Sequence, residues 1–318
     1  MKLFPELVSP EQFDHDLESA TPMRAELLAA CKKLAHHQRL KGELRHVWGG
    51  SNFIAALGQH YVFKLFPPFH RYQWETEVQS LKYLNQQRLS VPIPELYCAD
   101  SQEQWTYLVM SYLPGQTLQS VWDQISESNR CEILSQIGHL IKSVHTLPAQ
   151  NRPLLDPPWD IFWQHQQAHV MKRHGQQGFP EHLWQALAVY LESDLTLPES
   201  LNSHVLLTGE YTPMNLMVSN KDDHWHLSAM FDFGDCMIGP AFYDLLGPLS
   251  FLVAGQPPRL KAFLDAYGLT DYDPKQMPRL CLAYLLLHRY SNPRFQIKIP
   301  DWQQAESLDA LAAMIWPG

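Results

Sequence analysis

Residues 204–245 read HVLLTGEYTPMNLMVSNKDDHWHLSAMFDFGDCMIGPAFYDL, and their apolar runs end in acidic turns. The run His204–Leu207 leads into Thr-Gly-Glu, and the run Leu227–Phe231 leads into Asp-Phe-Gly-Asp. Short runs of branched and aromatic residues bounded by Gly, Asn and Asp are typical of strands joined by turns. We therefore interpret this stretch as strand, acidic turn, strand, acidic turn and then the start of a helix, with Asp244 beginning the helical run.

Three polar side chains stand at the turns of this stretch. Glu210 closes the first turn, and Asn215 follows it by five residues. Asn215 precedes the run Leu216–Val218, which a polar turn, Ser219–His224, separates from the last run. Asp232 comes directly after that last run. We expect the three side chains to point toward one place, where they would hold a metal-bound phosphate and accept a proton from an attacking hydroxyl.

The composition limits the kinds of partner. A length of 318 residues is sufficient for two lobes that share one cleft. The formal net charge of −9 argues against nucleic acid as the main partner, because no surplus of Lys and Arg is present to bind phosphates. The same charge is compatible with a cationic small molecule.

The cysteines and the apolar runs indicate a cytoplasmic protein with no membrane partner. The five cysteines are scattered without metal-ligand spacing, which is typical of reduced thiols. The N-terminal residues turn acidic before a signal peptide could form, and the apolar runs are too short or too interrupted to span a bilayer. A zinc site is not expected at His165, His169 and His174, because no Cys or Glu with suitable spacing lies near them.

Residues 44–66 predict an antiparallel meander of three strands, LRHVW, GGSNFIAAL and GQHYVFKLF. Between the first two lies a turn beginning at Gly49, in which the backbone of Gly50, Ser51 and Asn52 could approach a phosphate closely. Lys64 alternates with apolar neighbours in the third strand. We expect its ammonium group either to face solvent or to point into the cleft beneath the turn.

The segment after the meander predicts a helix, WETEVQSLKYL, and two further strands. Glu77 on that helix could reach Lys64, which is how protein kinases fix their phosphate-binding lysine, and Glu75 is a rival for the same position. The second strand ends in YLVMSYLPG. We place the lobe boundary at about Met110–Gly115, where an adenine could meet an extended backbone.

The remaining chain is predicted to be mainly helical. Helical spacing of apolar residues recurs up to His145, two helices are expected within residues 149–200, and four helical segments follow Asp244. The predicted fold class is therefore α+β, with an N-terminal nucleotide-binding lobe over residues 1–112 and a helical C-terminal lobe over residues 113–318. The C-terminal lobe would carry the catalytic and metal-binding loops and the substrate cleft.

With these parts in this order, the sequence resembles the aminoglycoside phosphotransferase family, from about Leu44 to the C-terminus. The most specific motifs are TGEYTPMN, FDFGD and GPAFYDL, where the family usually has His-Gly-Asp, a spacer with Pro, then Asn, and later Asp-Phe-Gly. The stretches VFKLF, WETEVQSL, YLVMSYLPG and SLDALAAMIWPG look most like the hygromycin B kinase branch. The resemblance implies a two-lobed, protein-kinase-like fold with a small antiparallel N-lobe sheet.

The resemblance also implies a role for each motif residue. Glu210 would be the catalytic base, and Asn215 and Asp232 would bind Mg²⁺. Lys64 would contact the α- and β-phosphates of ATP or GTP and pair with Glu77. The adenine would lie against the segment comprising Met110, Ser111, Tyr112 and Leu113.

The sequence departs from the family pattern at three positions. Thr208 replaces the usual His, Glu210 the usual Asp, and Met214 a commonly small residue. The expected function is Mg²⁺-dependent transfer of the γ-phosphate of ATP or GTP to a hydroxyl of a small cationic substrate, such as a hygromycin-like aminoglycoside. The alternatives are a kinase of choline, homoserine or fructosamine type, and a nucleotide-binding pseudokinase with a regulatory role.

Overall fold

The computed structural model describes residues 3–6, 9–18, 21–47, 50–193 and 195–317. The chain divides into two compact units. The first comprises Met1–Arg88, Pro92–Pro114 and Phe231–Asp235, and the second comprises Leu89–Val91, Gly115–Met230 and Cys236–Gly318.

The first unit is built on an antiparallel sheet flanked by helices. Over the described residues its strand order is β1-β2-β3-β5-β4, with the strands β1 (Leu44–Val47), β2 (Phe53–Leu57), β3 (Tyr61–Phe66), β4 (Leu96–Gln102) and β5 (Trp105–Ser111). The helices are α1 (Pro10–Glu18), α2 (Pro22–His37) and α3 (Arg71–Leu84). The three-strand meander and the helix after it are confirmed.

The two faces of this sheet pack against different helices because side chains alternate along each strand. Phe63 and Leu65 of β3 belong to the core that includes residues of α1 and α2. Phe66 belongs to a smaller cluster with Val78 of α3. Lys64 lies two residues from Phe66 in β3 and therefore shares the face that α3 covers.

The second unit is mainly helical, as predicted, with two small antiparallel sheets. Its strands are β6 (Gln116–Thr117), β7 (His204–Leu207), β8 (Leu216–Lys221), β9 (His224–Met230) and β10 (Met237–Pro240). Its helices are α4 (Leu118–Val121), α5 (Glu127–His145), α6 (Trp159–Gln176), α7 (Glu181–Leu191), α8 (Glu199–Asn202), α9 (Phe242–Phe251), α10 (Pro257–Tyr267), α11 (Gln276–Leu287), α12 (Pro293–Gln296) and α13 (Leu308–Ile315). The sheets have the orders β6-β8-β9 and β10-β7.

Residues 204–245 differ from their prediction in three respects. The predicted polar turn over Ser219–His224 is shorter, because β8 extends to Lys221 and β9 begins at His224. Asp222 and Asp223 form the turn between them, with positive φ angles of 53° and 60°. A strand, β10, also precedes the predicted helix and pairs with β7. The helix itself begins at Phe242 rather than at Asp244.

Among the described residues, none of the helices combines the length and apolar character needed to cross a membrane.

Candidate active site

Lys64 of β3 contacts two carboxylates in the first unit. Its Nζ lies 2.7 Å from Glu77 Oε2 and 3.0 Å from Asp232 Oδ1. Lys64 and Glu77 are almost fully buried, whereas the Asp232 side chain is 31% exposed. Because Lys64 faces α3 and Glu77 lies on that helix, the fold brings the two together as the sequence suggested.

This buried cluster favours a charged lysine. Burial alone would lower the pKa of Lys64, but the carboxylates of Asp232 and Glu77 outweigh this effect and raise that pKa above its ordinary value. Burial raises the pKa of Glu77 to about 7, since the nearby Lys64 offsets only part of the cost of removing the carboxylate from water. Lys64 thus keeps a positive charge inside the unit, where a phosphate group is a suitable ligand.

Glu75, the rival partner, does not contact Lys64. It forms an exposed ion pair with Arg71, one helical turn earlier, at 3.1 Å. The spacing of Glu75 and Glu77 explains the difference, because residues two apart on a helix point about 200° apart around its axis.

The turn between β1 and β2 is described from Gly50 onward, and Gly49 lies outside the described residues. Gly50 has a positive φ of 79°, with no atom within 4 Å of where a Cβ would stand. The buried Asn52 side chain donates from Nδ2 to Gln73 and accepts at Oδ1 from His70. The Asn52 side chain therefore holds the turn to the beginning of α3. Because its amide is engaged in these hydrogen bonds, a phosphate at this turn would meet backbone N–H groups.

The predicted adenine segment continues from the end of β5. Met110 and Ser111 pair within the sheet, and Tyr112 and Leu113 follow it. The N–H groups of Ser111 and Tyr112 donate to the carbonyls of Glu95 and His60, both at 2.9 Å. A base bound here would have to use the other backbone groups of the segment.

In the second unit, the loop after β7 holds Glu210 and Asn215 together. The loop turns at Gly209, whose φ of 72° is readily adopted only by glycine. Asn215 Nδ2 donates to Glu210 Oε2 at 2.9 Å, and the Thr212 N–H donates to the Glu210 carbonyl at 2.7 Å. The hydrogen bond orients the carboxylate and directs the opposite, oxygen end of the Asn215 amide away from Glu210.

Asp244 anchors this loop, a role that the sequence did not suggest to us. Its buried carboxylate accepts hydrogen bonds from the backbone N–H groups of Thr208 at 2.9 Å and Gly209 at 2.8 Å. It also contacts His145 Nε2 at 3.1 Å, and His145 Nδ1 lies 3.0 Å from the Tyr267 hydroxyl. The available signal was the acidic Asp244 within an apolar helix start, FYDLLGPL. An acidic residue in such a position is rarely buried without partners.

Helix α9 also approaches the loop closely through Gly247. A Cβ at Gly247 would come within 2.5 Å of the Tyr211 carbonyl. Helix α9 therefore contacts the loop backbone at two points: the Asp244 carboxylate accepts its N–H groups, and Gly247 packs against the Tyr211 carbonyl.

Glu210 lines a cavity of about 310 Å³ that lies within the second unit. Its walls come from the loop after β7, from α9 and from residues 285–296. A carboxylate that is held by a neighbouring amide and faces such a cavity can accept a proton from a bound hydroxyl.

Comparisons with known proteins agree with this geometry. Residues 43–277, well over half of the chain, match the model of the phosphotransferase enzyme family. A comparison with curated protein sequences finds no match.

Solved structures with this fold include aminoglycoside and macrolide phosphotransferases. Aminoglycoside 2'-phosphotransferase-IIIa in complex with GDP is 16% identical with a TM-score of 0.66, covering 91% of this chain and 98% of its own. The streptomycin–ATP complex of APH(2")-IIa is 17% identical with a TM-score of 0.57, covering 80% and 88%. Macrolide 2'-phosphotransferase MphH from Brachybacterium faecium, without ligand, is 18% identical with a TM-score of 0.59, covering 92% and 99%. At these identities the structures show a shared protein-kinase-like fold.

The family match, the shared fold and the two groups of polar side chains agree with one another. The chain therefore belongs to the phosphotransferase enzyme family.

Proposed function

We propose that the protein transfers the γ-phosphate of ATP or GTP to a hydroxyl of a small, cationic substrate, with Glu210 as the general base. The observation that carries the proposal is the 2.9 Å hydrogen bond between Asn215 and Glu210 beside the cavity. Aminoglycosides are one candidate substrate class, since several structures with this fold are aminoglycoside phosphotransferases. We further propose that residues 1–112 bind the nucleotide and residues 113–318 bind the acceptor.

The residues fit a magnesium ion by their chemistry. Mg²⁺ is usually bound through one or two carboxylates together with phosphates and water. Both hydrogen bonds that Asp232 accepts, from Lys64 and from the Gly234 N–H, use Oδ1, so Oδ2 would be the ligand atom. Asn215 would contribute its amide oxygen. When bound, Mg²⁺ would neutralise negative charge on the nucleotide phosphates.

In the described part of the chain, no group of three or more His, Cys, Asp or Glu side chains is arranged to hold a metal ion. The proposed magnesium ligands are one Asp and one Asn, completed by phosphate oxygens.

The proposed steps use few side chains. Lys64 would bind the α- and β-phosphates, and Glu77 would keep its ammonium group in place. Glu210 would orient the acceptor hydroxyl and accept its proton as the oxygen attacks phosphorus. Phosphoryl transfer requires mainly positioning and charge neutralisation, so this set is sufficient.

Nucleotide binding tests the first part of the proposal. A ligand that binds only the folded state at 100 times its dissociation constant stabilises the protein by about 2.7 kcal/mol. We expect Mg-ATP or Mg-GTP to raise the melting temperature of the wild-type protein and to have little effect on Asp232→Ala. No shift with either nucleotide, or equal shifts in both proteins, would contradict the proposed site.

The pseudokinase alternative predicts a different result in an assay of phosphate transfer. A pseudokinase would bind the nucleotide but would transfer phosphate to no acceptor. Kinases of choline, homoserine or fructosamine type would be identified by including these acceptors in the transfer assay.

A further inference from the structure

The cavity beside Glu210 contains little negative charge. Its volume of about 310 Å³ is at the lower end of the range for small-molecule sites, about 300–1,000 Å³. Glu210 is the only carboxylate among the described residues that line it. The nearby Asp244 carboxylate already accepts hydrogen bonds from the loop backbone and contacts His145. A ligand with several ammonium groups would find one carboxylate here, and that carboxylate is the proposed base.

Positive charges also lie behind the cavity wall. His288 lines the cavity, and burial together with the neighbouring Arg289 and Arg173 lowers the pKa of its imidazole, so the ring is neutral. The charges of Arg289 and Arg173 near His288 disfavour a ligand with several positive charges.

Aromatic side chains form another part of the cavity lining. Phe251 and Phe295 pack edge to face, with centroids 5.6 Å apart. Tyr290 is 50% exposed and Phe295 is 45% exposed, which is high for large apolar side chains. A ligand with an apolar face would cover these rings and gain the free energy of removing apolar surface from water.

Three further lining residues carry neutral hydrogen-bonding groups. Thr212 and Asn292 present a hydroxyl and an amide that suit hydroxyls on a substrate, whereas the Ser250 hydroxyl donates to the Leu246 carbonyl and could only accept. Neutral donors and acceptors orient a polyol or an amino alcohol without compensating additional charges.

We infer that the acceptor is a compact alcohol with an apolar or aromatic face and at most one positive charge, and that Tyr290 and Phe295 select it. This inference rests on the proposed function, because it takes the cavity at Glu210 as the acceptor site. Each further ammonium group would lose its hydration without gaining a carboxylate, and such a loss is not recovered in an apolar-walled site. The inference therefore narrows the proposed cationic substrates to those with at most one positive charge, and it leaves out the polycationic aminoglycosides.

Binding measured by calorimetry tests the inference independently of catalysis. The probes are phenylethanolamine and phenyl β-glucoside, which have an aromatic face and at most one positive charge, and kanamycin and hygromycin B, which carry several amino groups. We expect the better aromatic probe to bind the full-length protein at least about tenfold more tightly than either aminoglycoside, which corresponds to about 1.4 kcal/mol. Tighter binding of an aminoglycoside, or no binding of any probe, would overturn the inference.

Two substitutions test whether Phe295 and Tyr290 bind the aromatic probe. Phe295→Ala and Tyr290→Ala should each weaken binding of the aromatic probe by about tenfold, an effect in the range of aromatic contacts. Both side chains are half exposed, so either variant should fold, and the exposed Tyr97→Ala in the first unit is the matched control. Unchanged affinity in both cavity variants would overturn the selection that we assign to these rings.

A third variant tests the charge argument. Asn292→Asp adds a carboxylate to the cavity wall with almost no change in shape, and it should raise the affinity for kanamycin several-fold. An unchanged or lower affinity for kanamycin would count against the inference.

Phosphorylation of the bound probe separates this inference from the proposed function. If the aromatic probes bind as expected but no acceptor is phosphorylated in the presence of Mg-ATP or Mg-GTP, the substrate class is supported and the kinase proposal fails. If the aminoglycosides are phosphorylated and the aromatic probes are not, the kinase proposal is supported and the substrate class fails.

Discussion

Lys64 contacts two carboxylates, and the proposed reaction would keep one of these contacts and break the other. Its contact with Glu77 is buried, whereas its contact with Asp232 involves a partly exposed side chain. If Asp232 turns to a metal ion and Lys64 to the phosphates, the 3.0 Å contact is exchanged while the 2.7 Å contact remains. Glu77 is then the residue that keeps the ammonium group in position in both states.

The two glutamates of α3 provide a matched test at this scale. Glu77→Gln removes a charged acceptor from a buried lysine, so the free energy of unfolding should fall by about 1–3 kcal/mol. The KM for the nucleotide should rise, because Lys64 is held less firmly. Both quantities are measured by urea denaturation and steady-state kinetics.

Glu75→Gln is the control, because Glu75 pairs only with the exposed Arg71 among the contacts seen. An exposed pair contributes about 0–1 kcal/mol, so stability and KM should change little. If Glu75→Gln had an effect as large as Glu77→Gln, the assignment of Glu77 would be wrong.

At the scale of elements, α9 determines the position of the loop after β7. Asp244 in its first turn binds the N–H groups at the end of β7, and Gly247 lets the helix approach the loop backbone. Helix α5 contributes His145 to the same carboxylate. The loop geometry is therefore a property of two helices as well as of its own sequence.

Asp244→Asn tests this anchoring. The substitution removes a buried charge and places an amide NH₂ group where the carboxylate accepted bonds from N–H groups. Loss of one partner from a buried pair costs about 3–5 kcal/mol, and we expect a decrease of about 3 kcal/mol in the free energy of unfolding. Turnover should also fall, because Glu210 loses its fixed position.

The matched control is Asp265→Asn, which affects an exposed pair with Lys261 on α10. Surface changes of this kind are usually within about 0.5 kcal/mol. Equal losses of stability in the two variants would show that Asp244 has no special role.

Periodicity predicted most elements but not all of them. The runs of β2, β3 and β5 and the helical spacing of α5 are strong local signals, and these elements formed. Strand β10 contains Gly and Pro and is extended because it pairs with β7, a partner about 30 residues away in the chain. Likewise, the hydrogen bonds of Asn52 depend on where α3 begins, which no local pattern in the turn indicates.

At the scale of the whole molecule, the order of motifs in the sequence predicted the family. The residues that line the cavity could be identified only from the folded structure. Glu210, Asn215 and Asp232 occur within 23 residues, and their spacing is typical of the family. Most of the other lining residues come from positions 246–296, and no local pattern of the sequence there indicates that they share a cavity with Glu210. The net charge of −9 is therefore a poor guide to the charge of the substrate, because one carboxylate lines the described cavity.

Glu210 stands where the resemblance implies an aspartate, and its carboxylate accepts a hydrogen bond from Asn215. Glu210→Asp would withdraw the carboxylate by one methylene. A misplacement of about 1 Å can cost roughly 10²-fold in rate, so we expect this variant to be slower than the wild type.

The most direct test is to measure the formation of phosphorylated acceptor by mass spectrometry with Mg-ATP or Mg-GTP. Wild-type protein should produce the phosphate ester, and Glu210→Gln should lower kcat by roughly 10²–10⁴-fold while still binding the nucleotide, because only the base is lost. Removal of Mg²⁺ with EDTA should abolish the product. Formation of the ester by Glu210→Gln at the wild-type rate, or no ester from the wild-type protein with any acceptor, would contradict the account.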